Sequence, residues 1–153
     1  MIGFYGQFKV NLDPKGRLAL PAKIRPREQD GSSSKLILTK GLDGCLALYT
    51  EKEWGSFQER LNELSFTTRD FRFVSRMIYS AASIVEPDRQ GRFLIPGHLL
   101  DDAGLKSDAL VLGAYRWIEI WNPERFDKHV DKHGGTLEDV ADRLFGNERT
   151  GRD

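Results

Sequence analysis

A chain of 153 residues suits one compact domain, or two small units sharing a core, and is long enough to fold without a disulfide or a metal. Its 23 basic and 23 acidic residues cancel, which excludes a globally basic coating protein but leaves room for a local basic patch. Nothing approaches a membrane-spanning apolar run, and Cys45, the single cysteine, cannot form an internal disulfide, so a reducing, cytoplasmic setting is expected.

The start, Met1-Ile2-Gly3-Phe4-Tyr5-Gly6, lacks a basic segment and an apolar segment, so no secretory signal is expected there. Phe8, Val10 and Leu12 then alternate with Lys9 and Asn11, the period of a half-buried strand. Asp13-Pro14-Lys15-Gly16 has the residues of a type I turn: Asp first, Pro second, Gly fourth. Arg17 opens the return strand, and Pro21 ends it because proline cannot donate to a ladder. Ser32-Ser33-Ser34 lengthens the next loop. Leu36-Ile37-Leu38 and Leu46-Ala47-Leu48-Tyr49 read as strands joined through Gly41-Leu42-Asp43-Gly44, which is a turn and not a phosphate loop. Thr50 is placed to cap a helix, with Glu53 completing a capping box. Trp54, Phe57, Leu61 and Leu64 have helical spacing, as do Phe71, Val74 and Ile78 with Met77, and that second helix is expected to end near Tyr79.

The second half repeats the first. At an offset of 75 residues, Val85-Glu86-Pro87-Asp88-Arg89-Gln90-Gly91-Arg92-Phe93-Leu94-Ile95-Pro96 matches the segment from Val10 to Pro21, with Val, Asp, Gly, Arg and Pro in register. Leu110-Val111-Leu112 and Ile118-Glu119-Ile120-Trp121 answer the two later strands. Asn122 caps a helix whose first residue is Pro123, and Phe126 stands where Trp54 stands in the first copy. Beyond Gly134-Gly135, the residues Leu137, Val140, Ala141, Leu144 and Phe145 share one helical face, with Thr136 as cap; this tail either docks on its own domain or mediates assembly.

Two Asp-x-x-x-Arg turns at this spacing, each inside a strand–turn–strand ending in proline, resemble the MraZ family of SpoVT/AbrB-like proteins. The likeness runs from the Gly6 region through Phe126. It implies an α+β, mainly β fold: a swapped-hairpin AbrB-like β-barrel from two tandem repeats with flanking helices. The organisation is then a first repeat over 7–54, a helical linker over 55–81, a second repeat over 82–126 and a helical tail over 127–153. The resemblance implies a sequence-specific DNA-binding transcriptional regulator without a cofactor and without enzymatic activity. Such a protein binds direct repeats in promoter DNA as a ring-like homo-oligomer. It represses a division and cell-wall gene cluster that includes its own gene, and it associates with the nucleoid rather than with a membrane.

The DNA-binding residues expected from the repeat and its basic neighbours are Asp13, Lys15, Gly16, Arg17, Lys23 and Arg25 in the first copy, and Asp88, Arg89, Gly91 and Arg92 in the second. Arginine suits the role because its planar fork matches guanine edges and phosphates. The competing reading is local: each arginine closes its own turn onto Asp13 or Asp88, and the two readings are compatible. Charge separates the copies. From Lys9 to Arg27 the net charge is +5, whereas the matched window from Ile84 to Asp102 carries −2, so the first copy is expected to dominate DNA contact. Arg69, Arg72 and Arg76 share a helix face that is either simply solvated or flanks DNA.

Other chemistry has weaker support. His129 and His133 have the i, i+4 spacing of zinc ligands but lack the accompanying glutamate or a third ligand, so no metal is expected. His98, in the place of Lys23, reads as a surface residue. Cys45 reads as a packing residue, and Phe93, Tyr115, Trp117 and Trp121 as core or subunit-contact aromatics. Two rival functions stand beside DNA binding. One is an antitoxin-like protein-interaction module; the other is a small enzyme, which would need a polar pocket with a perturbed titratable pair.

Overall fold

The computed structural model describes residues 3–26 and 34–150, with side chains through residue 146. Arg27 and the loop residues Ser32 and Ser33 lie outside the described residues. In chain order the elements are β1 (Gln7–Asn11), β2 (Arg17–Ala19), a single 3-10 turn over Ala22–Ile24, β3 (Leu36–Lys40), β4 (Leu46–Thr50), α1 (Glu51–Asn62) and α2 (Arg69–Ala81). The second copy follows with β5 (Ser83–Val85), β6 (Arg92–Leu94), α3 (Gly97–Ala103), β7 (Asp108–Gly113), β8 (Ile118–Trp121) and α4 (Pro123–Lys132), then the tail helix α5 (Leu137–Thr150).

The copies do not fold side by side; they exchange strands. Six strands form an antiparallel sheet in the order β1-β7-β8-β4-β3-β5. Thus β1 of the first copy pairs with β7 of the second, and β5 of the second pairs with β3 of the first. The matched strands β4 and β8 meet in the middle, with Ala47 opposite Glu119. β2 and β6 form a separate two-stranded ribbon. Among the described residues the sheet ends on β1 and β5 and does not close into a barrel, and more residues lie in the five helices than in the strands. The fold is therefore mixed α and β rather than mainly β.

The core follows from that exchange. Leu18, Leu20, Leu38, Leu46, Leu99, Ala109, Val111 and Ile120 are fully buried in one cluster fed by both copies. β3 is buried along nearly its whole length, as a strand covered on both faces must be. Its Thr39 is buried, and its hydroxyl donates to the Ile78 carbonyl at 2.7 Å, satisfying an acceptor in the last turn of α2 and tying that helix to the sheet.

The helix caps fall where the residues predict. Thr50 accepts from the Glu53 N–H, Asn122 accepts from the Glu124 and Arg125 N–H groups, and Thr136 and Asp139 form a reciprocal box. At α1 the box is only half made. The Glu53 carboxylate instead accepts from Arg116 Nε of the second copy at 2.9 Å. α2 runs to Ala81, one half-turn beyond Tyr79. α3 is absent from the sequence reading; Gly104, left-handed at φ 65°, ends it.

Candidate nucleic-acid interface

Both Asp-x-x-x-Arg segments fold into the same hydrogen-bonded circuit. In the first, the Gly16 N–H donates to the Asp13 carbonyl at 2.9 Å, and the Asp13 N–H donates to the Arg17 carbonyl at 3.0 Å. The Asp13 side chain closes the loop from outside. Its Oδ1 accepts from the backbone N–H of Lys15 at 2.9 Å and of Arg17 at 2.8 Å, and its Oδ2 accepts from Arg17 Nε at 2.6 Å. The second turn repeats this: Oδ1 of Asp88 accepts from Gln90 and Arg92 N–H, both at 2.9 Å, and Oδ2 accepts from Arg92 Nε at 3.1 Å. The backbone N–H of Arg17, then its guanidinium, holds the Asp13 carboxyl below the usual aspartate range, and Arg92 does the same for Asp88. Gly16 and Gly91, at φ 84° and 81°, supply the left-handed residue that ends each turn.

The local salt bridge is therefore present in both copies, and it does not use up the arginines. Only Nε is engaged. Among the described residues no hydrogen bond from the terminal nitrogens of Arg17 or Arg92 is found, and both side chains are close to half exposed. The aspartate fixes the direction of the fork and leaves its outer donors facing solvent.

The ribbon sets the spacing of the two forks. Leu18 pairs with Phe93 and both are buried, while Arg17, Ala19, Arg92 and Leu94 occupy the opposite, exposed face. Arg17 stands opposite Leu94, and Arg92 opposite Ala19. The arginines thus occupy diagonal corners of one small face, with α-carbons roughly 8 Å apart on ordinary strand spacing. Lys15, Lys23 and Arg89 are exposed beside it.

What covers each turn comes from the other copy. The Leu20 N–H donates to the Gly91 carbonyl at 2.9 Å, and the Ile95 N–H donates to the Gly16 carbonyl at 3.0 Å. The chain leaving β2 therefore passes over the second turn, and the chain leaving β6 passes over the first. Arg25 lies on Gly91 and Leu100 on Gly16. The sequence windows thus misplace the charge. Arg25, counted with the first copy, reaches the second turn, where Nη1 donates to the Arg89 carbonyl at 3.1 Å. Asp102, counted with the second copy, in turn pairs with Lys40 of the first at 3.3 Å, so charge in the sequence windows does not map one to one onto the turns.

The remaining candidates lie away from the ribbon turns in sequence and differ in burial. Arg72 Nη1 donates to the Phe66 and Thr67 carbonyls, while Arg69 and Arg76 are exposed. His129 lies against the Trp121 ring and 3.8 Å from Asp43; among the described residues no group of three or more metal-binding side chains exists. Phe93 and Trp121 are buried, whereas Tyr115 is exposed. Burial, then the charge of Glu119, pushes the Cys45 thiol up to about 12, so it is no nucleophile. The other displaced groups, Tyr49 and Tyr79, are raised by burial in an aromatic layer around Trp54 and do not converge on a cleft. Among the described residues no helix is long and apolar enough to cross a membrane. On α5, Leu137, Leu144 and Phe145 are all more than half exposed, while Val140 and Ala141 of the same face are partly buried.

Comparison with known proteins adds the family. The pattern of the MraZ family, described as "MraZ protein, putative antitoxin-like", matches residues 4–77 and again 78–148. The chain is similar to proteins named "Transcriptional regulator MraZ". One, from Heliobacterium modesticaldum, is 40% identical over 142 residues, covering 93% of this chain and 96% of that protein. Another, from Acetivibrio thermocellus, is 36% identical over 141 residues, covering 92% and 96%. A third, from Thermomicrobium roseum, is 38% identical over 141 residues with the same coverage.

Proposed function

This chain belongs to the MraZ family, and we propose that it regulates transcription by binding double-stranded DNA through the exposed β2–β6 ribbon. Relatives carry the name of a transcriptional regulator and not of an enzyme. The observation that carries the reading is the pair of arginines on one ribbon face, each oriented by an aspartate on Nε and, among the described residues, with no hydrogen bond from its outer nitrogens. A two-stranded ribbon fits the major groove, and a guanidinium fork matches the two acceptors of a guanine or a phosphate. Ala19 and Leu94, between the forks, offer apolar contact to a thymine methyl. Asp13, Gly16, Asp88 and Gly91 shape the turns; Lys15, Lys23 and Arg89 supply phosphate contacts around them.

The exchange of β1, β5 and the β2–β6 ribbon between copies supports reading the core as an open, swapped-hairpin arrangement of the AbrB type with helices around it. A single overall neutral protomer gains little long-range attraction to DNA and grips few phosphates, so useful affinity requires several protomers on neighbouring repeats. The exposed Leu137, Leu144 and Phe145 of α5 support assembly into a ring-like homo-oligomer. The operator is then a set of direct repeats upstream of the chain's own gene. There it represses a division and cell-wall gene cluster, as a cytoplasmic, nucleoid-associated protein.

Binding to that upstream DNA against a scrambled competitor tests the reading. Retention at moderate salt that falls steeply when the repeats are reduced to one is the expected result. Equal binding of specific and scrambled DNA overturns it and favours a protein-interaction module.

A further inference from the structure

The two turns are alike in their own bonds and unlike in what sits on them. Over Gly16 lies the end of an apolar side chain: a Cβ there would meet Leu100 Cδ1 at 2.9 Å and nothing else closer than 3.6 Å. Over Gly91 lies a guanidinium: a Cβ there would meet Arg25 Nε at 2.5 Å and the Leu20 carbonyl oxygen at 2.7 Å. Arg25 is half-buried, and it donates from Nε and Nη2 to the Leu20 carbonyl at 3.2 and 2.8 Å, and from Nη1 to the Arg89 carbonyl at 3.1 Å.

Those two carbonyls belong to different copies, 69 positions apart in sequence. One ends β2; the other is inside the second turn, between Asp88 and Gly91. The same Leu20 donates its N–H to the Gly91 carbonyl, so the Arg25 fork completes a closed set of bonds that fastens the second turn to the first copy's strand. The planar fork reaches both acceptors at once with three donors held in a fixed plane, a geometry that the compact ammonium of lysine does not reproduce. Its removal strips both carbonyls of a charged donor, the Leu20 carbonyl in a partly buried place and the Arg89 carbonyl in an exposed one.

We propose that Arg25 is a positioning residue: it holds the second Asp-x-x-x-Arg turn, and through it the Arg92 fork, in the shape that meets DNA. This rests on the DNA-binding reading above and reassigns a residue whose sequence position suggested a direct phosphate contact. The first turn is held by Leu100 instead, so Arg25 acts on one turn and not on the other.

The test uses the full-length protein and three variants, Arg25→Ala, Arg25→Lys and Arg25→Leu. The last places at the second turn the kind of side chain that already covers the first, so it keeps the apolar volume where Arg25→Ala loses it. Without DNA, amide exchange is measured at Gly91 and at Gly16, each bonded to its turn aspartate carbonyl. Arg25→Ala and Arg25→Lys are expected to speed exchange at Gly91 by at least about threefold and to leave Gly16 unchanged. With a duplex from upstream of the chain's own gene, Arg25→Ala combined with Arg92→Ala is expected to bind within about twofold of Arg92→Ala alone, while its combination with Arg17→Ala multiplies the two losses. Equal exchange changes at both glycines, Arg25→Lys equal to wild type, or independent losses with Arg92→Ala would each overturn the assignment. A wild-type protein that ignored the duplex would overturn the DNA reading, and the exchange comparison alone would then decide the clamp.

Discussion

The first turn, Asp13 to Arg17, and the second, Asp88 to Arg92, share one circuit of bonds, with the backbone bonds matching within 0.1 Å and the Nε bonds at 2.6 and 3.1 Å, yet they sit under different roofs. Leu100 packs on the first and Arg25 is hydrogen-bonded across the second. A sequence repeat copies what is local: the aspartate, the glycine, the arginine and the bonds among them. It does not fix what lies on top, because the copies exchange strands and each turn is covered by the other's chain. Charge moves with that exchange. The basic surplus after Arg17 in sequence is delivered in part to the second turn in space.

The comparison breaks most sharply at the glycines. Both are left-handed, so alanine at either strains the backbone by about 1–2 kcal/mol. At Gly16 the new methyl meets the end of Leu100, which can move; at Gly91 it also meets the Leu20 carbonyl oxygen, which cannot. Gly16→Ala should cost about 1–2 kcal/mol and Gly91→Ala about 3 kcal/mol or more in denaturant unfolding. Equal losses would mean that the roofs do not differ in stiffness.

Acid sharpens the common part. Each aspartate is held below its ordinary range by backbone and guanidinium donors, so its contribution is full above the unfolded value and is lost as pH falls through the lowered, folded one. Acid unfolding curves should therefore carry a contribution from each turn. Asp13→Asn and Asp88→Asn should each flatten that acid limb while leaving stability near neutral pH the less affected by comparison with Asp→Ala, since an amide oxygen still accepts the backbone N–H bonds. An unchanged acid limb in both variants would remove the carboxylates from the account. A smaller effect is the salt slope. Three or so phosphate contacts per turn give a log–log slope near −3, and loss of Arg89 should reduce it by about 1. Arg25→Leu should leave the slope within a few tenths, because its fork faces carbonyls.

Much of this was legible in the residues, and the parts that were not have a common cause. Asp13-Pro14-Lys15-Gly16 and Asp88-Arg89-Gln90-Gly91 declare turns because four adjacent residues decide a turn. Thr50, Asn122 and Thr136 declare caps for the same reason. The local pattern has Glu53 close its own helix, whereas it bonds Arg116; it groups Arg25 with its basic sequence neighbours, whereas Arg25 bonds Arg89. Both partners are more than sixty positions away, so no local pattern contains them. α3 is different: Leu99, Leu100 and Ala103 with Gly104 after them spell a short capped helix, while the corresponding stretch of the first copy, Ala22–Ile24, forms only a 3-10 turn, so the repeat does not carry the helix. The tail's helix was visible in the spacing of Leu137, Val140, Ala141, Leu144 and Phe145, but how much of that face is exposed is set by the tertiary fold and not by the spacing.

The claim at the centre is that two cross-covered turns present a pair of aimed arginines to DNA. Its most direct test is the affinity of Arg17→Ala and of Arg92→Ala for the upstream duplex, each with a melting curve. The account predicts that both lose at least about 1 kcal/mol of binding, that Arg92→Ala loses no less than Arg17→Ala, and that both melt as wild type does. Unchanged affinity in either variant, or a loss in Arg17→Ala alone, would contradict it.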